Sequence, residues 1–114
     1  MKIINKTNNS VVADEVIIAN TPFKRMKGLL GKKELKKGQA LILDPCNSIH
    51  TFFMRFSIDI VFLDKNNKVI KIIPYLKPFR LTSIYFNAAS AVELPPNTIQ
   101  SLPIQKGDVL SLES

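Results

Sequence analysis

This 114-residue chain contains one cysteine, one histidine and four glycines, and no long hydrophobic run. Each shortage excludes something. The lone Cys46 has no partner in the chain, so no intramolecular disulfide can form, and a reducing, cytoplasmic setting is expected. Too few Cys and His residues are present for a zinc finger, and no glycine-rich phosphate loop follows a strand. The longest apolar runs, such as Ile60 to Leu63, fall far short of the roughly 18–20 residues that a membrane helix needs. Polar residues from Asn5 to Ser10 interrupt the start of the chain, so no signal peptide is expected. Repeats and low-complexity stretches are absent as well. The length suits a single domain spanning residues 1–114.

What the chain does have is a net charge of +7 and an apolar fraction of 46%. Lys24, Arg25, Lys27, Lys32, Lys33, Lys36 and Lys37 crowd one stretch, relieved only by Glu34. This basic segment, 24–37, suits phosphate, nucleic acid or an anionic membrane surface. It equally suits a solvated helix and turn, and no aromatic residues interleave with its lysines to stack on bases.

Apolar runs are short and punctuated, as strands are. Lys2–Asn5, Val11–Ala19, Ala40–Leu43, Ile49–Met54, Ile58–Leu63, Val69–Ile73, Ala88–Leu94 and Val109–Leu112 are the candidates. Asn66-Asn67 reads as a tight hairpin, while Pro74 and Pro78 mark an edge or a crossing loop. One helix is expected over Thr21 to Leu30, with Thr21 as N-cap and Pro22 in its first position. Phe23, Met26 and Leu30 would form its apolar face, and Gly31 would end it. The result is a mainly β domain, a sandwich or small barrel of about seven strands with one helix.

Several side chains carry chemistry. Cys46, His50 and Met54 are soft or borderline metal ligands spaced by four. In extended chain that spacing puts neighbours roughly 13 Å apart, too far to share one ion, so neither a metal nor another cofactor is expected. Cys46 with His50 as base is a candidate nucleophile pair for a hydrolase or transferase. Asp59 shares a strand face with Val61 and Leu63, and Glu93 sits in phase with Ala89 and Ala91. A carboxylate on an apolar face is costly unless paired or richly hydrogen-bonded, and Arg25, Arg55, His50 and backbone N–H groups are candidate partners. Two readings follow, a buried ion pair or the polar floor of a ligand cleft. His50 is expected to be partly buried and hydrogen-bonded, with a carboxylate or arginine nearby. The candidate ligand-binding set is therefore Arg25, His50, Arg55, Asp59 and Glu93, in a non-enzymatic module for an unidentified small ligand or protein.

The chain also resembles the family of small uncharacterised proteins called DUF192 or UPF0127. The resemblance lies in Thr21-Pro22 with Arg25, in Lys27-Gly28-Leu29-Leu30, and in Ile49-His50-Thr51-Phe52-Phe53-Met54. It continues through Ile58 to Asp64, Val69, Pro78, Val92-Glu93-Leu94 and Gly107-Asp108. Pro96-Asn97 stands where members often have a glycine, and Phe56 where many have asparagine. The resemblance implies a mostly β, sandwich-like fold with one helix and supplies no agreed activity, cofactor or catalytic residue.

Overall fold

Two sheets stacked face to face form the body of the protein, in a computed structural model that describes residues 1–114. In chain order the elements are β1 (Lys2–Asn5), β2 (Ser10–Ala13), β3 (Glu15–Ala19), α1 (Pro22–Lys27) and β4 (Gln39–Leu43). They are followed by β5 (Ile58–Leu63), β6 (Val69–Leu76), β7 (Ser90–Leu94), α2 (Thr98–Ser101) and β8 (Leu110–Glu113). The small sheet runs β2-β1-β8 and the large one β3-β4-β7-β5-β6. This is the mainly β architecture expected, open at its edges and not closed into a barrel.

Eight strands form, in keeping with the seven or so expected; Ile49–Met54 drops out, while Val11–Ala19 is broken at Asp14 and its halves enter different sheets. Gly38 makes the break. Its carbonyl accepts from the N–H groups of both Asp14 and Glu15, at 2.9 and 3.0 Å. Its φ is +90°, which favours glycine, and a Cβ there would stand 2.9 Å from Asp14 Oδ1, so the aspartate would have to move aside for any other residue.

Two apolar clusters lie on opposite faces of the large sheet. Between the sheets, Ile3, Val12 and Leu110 meet Val61, Leu63, Val92 and Leu94. On the outer face Leu41, Leu43, Ile58, Ile60, Phe62 and Ala91 are covered by Leu29, Leu35, Ile49 and Met54. Every residue of β5 and of β7 is consequently buried. Pro74 falls in β6, which is indeed the edge strand, and Asn67 takes the left-handed angle (φ 62°) that the β5–β6 hairpin requires.

Two expectations fail. Ile49–Met54 is not a strand; only His50 bridges, to Leu81. Thr51 instead ties the segment to a loop: its hydroxyl donates to Lys77 O at 2.6 Å, and its N–H donates to Arg80 O at 2.9 Å. The helix starts as expected, with the Thr21 hydroxyl accepting from Lys24 N–H, but it ends at Lys27 on Gly28. It buries none of its residues, so Phe23 and Met26 face solvent.

Candidate functional site

A pocket of about 630 Å³ opens on the outer face of the large sheet, a size usual for small-molecule sites. Helix α1 supplies Arg25, Met26 and Lys27, and Leu29 and Leu30 follow it. The chain after β4 supplies Asp44 to His50, beginning with a cis Asp44–Pro45 bond. Met54, Ala88, Ala89 and Glu93 complete the lining.

Glu93 is the group that most needs explaining. Strand pairing sets it opposite Leu41 on one side and Ile60 on the other. Its side chain therefore shares the outer face with those two residues. Glu93 is 4% exposed, and its Oε1 is buried without any hydrogen-bond partner. Burial pushes its pKa up to about 8, so at neutral pH the carboxyl keeps its proton and presents an O–H donor. Native folds rarely leave such a group unpaired.

Cys46 lies close by, half-buried, and its Sγ donates to Ser48 O at 3.1 Å. Burial raises the thiol pKa; the nearby Glu93 adds to that and Arg25 opposes it. A thiol held neutral against a carbonyl lacks the imidazole contact that would activate it as a nucleophile. His50 also lines the pocket, as does Arg25, but the hydrogen bond expected of a partly buried ring is not among its contacts. The residue is exposed and its ring stacks on Phe52, with centroids 5.3 Å apart.

Of the candidate residues, Arg25, His50 and Glu93 come together in this pocket, and Arg55 and Asp59 do not belong to its lining. Asp59 lies on the opposite face of the sheet, fully buried. Its Oδ1 accepts from Tyr75 N–H and its Oδ2 from Ile99 N–H, both at 2.9 Å. Of the candidate partners, backbone N–H groups hold Asp59, and no ion pair forms there. Cys46, His50 and Met54 share the pocket because the chain turns there and is not extended. Sequence reading missed Met26, Ser48 and the Ala88-Ala89 step as pocket residues; two small residues just before the strand that carries Glu93 were the available signal.

Residues 3–112 match the model of the family DUF192, described as "Uncharacterized ACR". A UPF0127 protein of Thermococcus sibiricus is 34% identical over 115 residues, covering 97% of this chain and 74% of that one. Another, from Pyrococcus horikoshii, is 34% identical over 111 residues, covering 93% and 94%. The crystal structure of a protein of unknown function from Novosphingobium aromaticivorans superposes with a TM-score of 0.84 at 18% identity, over 97% of this chain and 82% of that one. A candidate transcription regulator from Sinorhizobium meliloti gives 0.83 at 18%, over 96% and 89%. At that identity the two structures speak for the fold alone.

Proposed function

The chain belongs to the DUF192 family, whose members carry no assigned activity, and from its pocket we propose a non-enzymatic binding module for a small organic acid with an apolar body. One observation carries the reading: the buried carboxyl of Glu93 faces a pocket of about 630 Å³ with Oε1 unpartnered. Below pH about 8 the protonated Glu93 donates a hydrogen bond to a ligand oxygen. Arg25 at the same pocket offers the fork that suits a carboxylate. Met26, Leu30, Ile49 and Met54 take the hydrocarbon, and the His50–Phe52 stack stands at the mouth. The unpaired thiol of Cys46 supports a reducing, cytoplasmic setting.

Octanoate and octanamide are the probes that test this, followed by amide chemical shifts across residues 43–54 and 88–93. Octanoate should shift these residues and bind at least about tenfold more weakly to Arg25→Gln or Glu93→Leu, with octanamide also weaker. If neither probe disturbs the pocket, or the two variants bind octanoate as the wild type does, the reading fails.

A further inference from the structure

Beside the pocket runs a ribbon of two chain segments that belongs to neither sheet. Thr82 N–H donates to Ile49 O and Tyr85 N–H to Asn47 O, each at 2.9 Å, while His50 bridges to Leu81. The ribbon thus lays residues 47–53 beside residues 79–86. Phe53, Phe79, Leu81 and Phe86 are exposed along it, and α1, whose Met26 lines the pocket, exposes Phe23 and Met26. All six are between 57% and 87% exposed.

Single exposed apolar residues are ordinary, but four along one ribbon, with two more on the helix that walls the adjoining pocket, mark a contact surface. Phe53 and Phe79 hold φ values of 65° and 61°, angles that bulky side chains rarely adopt, and their rings meet edge to face at 5.7 Å. The backbone thus holds two aromatic rings out in water at a local cost.

Charge identifies what covers them. Residues 16–33, 45–58 and 65–92, the segments that carry all six side chains, contain no Asp or Glu, and Asp44 of the pocket lining is an exposed carboxylate at their border. They do contain exposed Lys24, Lys27, Arg55, Lys77 and Arg80 beside the apolar residues. Apolar side chains that penetrate an interface, with cations beside them for the headgroups, form the pattern of a protein lying on an anionic bilayer. Aliphatic Met26 and Leu81 among the rings suit acyl chains better than stacked bases.

We propose that the 47–53/79–86 ribbon and α1 dock this protein peripherally on an anionic membrane surface, with the pocket mouth toward the lipid. The proposal does not rest on the ligand reading above.

Vesicle co-sedimentation tests it. Asparagine tolerates positive φ, so Phe53→Asn/Phe79→Asn should keep the wild-type melting temperature while losing the two rings. Vesicles of phosphatidylcholine with about a third phosphatidylglycerol should pellet the wild type, and neutral phosphatidylcholine vesicles should not. Binding should fall at least about tenfold in the double variant, and also when salt is raised from about 50 to about 500 mM. No pelleting with anionic vesicles, equal pelleting with neutral ones, or full binding by a folded double variant would each overturn the proposal. So would ring-dependent binding to single-stranded oligothymidylate, or ring-dependent dimerisation, without vesicle binding.

Discussion

Two buried carboxyls one strand apart meet opposite fates. Asp59 satisfies both oxygens with backbone N–H groups, whereas Glu93 leaves Oε1 bare and takes up a proton. Each strand's own alternation was readable from sequence, since Asp59 keeps phase with Val61 and Glu93 with Ala91. The pairing of Ile60 with Glu93, which puts the two acids on opposite faces, depends on register and was not readable. Linkage gives the Glu93 effect its sign. The folded pKa of about 8 lies above the ordinary glutamate value, so this group's contribution to stability is fully present below about pH 4. It declines by up to about tenfold in the folding constant per pH unit and is gone above pH 8. Urea denaturation from pH 5 to 8 should show wild-type stability falling relative to Glu93→Gln, with the variant ahead by about 1–3 kcal/mol at pH 8. Parallel pH profiles for the two proteins would mean that Glu93 is ionised when folded.

Among the elements, Asp59 joins β5 to the bend in β6 and to the start of α2. Asp59→Ala would leave two N–H groups without acceptors, and a loss of about 2–4 kcal/mol in the unfolding free energy is expected. A midpoint within error of wild type would show that water takes over the acceptor role. Strands with clean punctuation, such as Ile58–Leu63, emerged at their sequence boundaries. Ile49–Met54 is also mostly apolar, but its partner is a proline-bearing loop, and composition is silent about partners. Helix α1 misled in another way. Phe23 and Met26 have the spacing of a core face, yet six residues make under two turns, and the burial falls to Leu29 and Leu35 beyond it.

For the molecule as a whole, burial is graded outward from β5 and β7, which are covered on both faces, to α1, which buries nothing. Native-state hydrogen exchange should follow this gradient. The amides of Ile60 to Phe62 and of Ala91 to Glu93 should exchange only through global unfolding, and those of α1 at least about a thousandfold faster. Uniform protection would argue against α1 as a loosely held wall of the pocket. A mainly β sandwich or small barrel was legible from strand count and period, and the two open sheets make it the former. The allocation of strands to layers was not legible, because it turns on one glycine touching one aspartate.

The small sheet has a consequence for biosynthesis. β1 sits at its centre, flanked by β2 on one side and by β8 on the other, with Lys2 opposite Glu113. β8 is translated after every other element, so β1 waits for a neighbour that the ribosome delivers last. All residues lining the pocket precede Leu94, and the five strands of the large sheet are also in place by then. The nascent chain therefore acquires the residues of the ligand pocket first and closes its inner core last. Until β8 arrives, Val61, Leu63, Val92 and Leu94 lack part of their cover, and this is the interval in which a nascent chain most needs shielding from its neighbours.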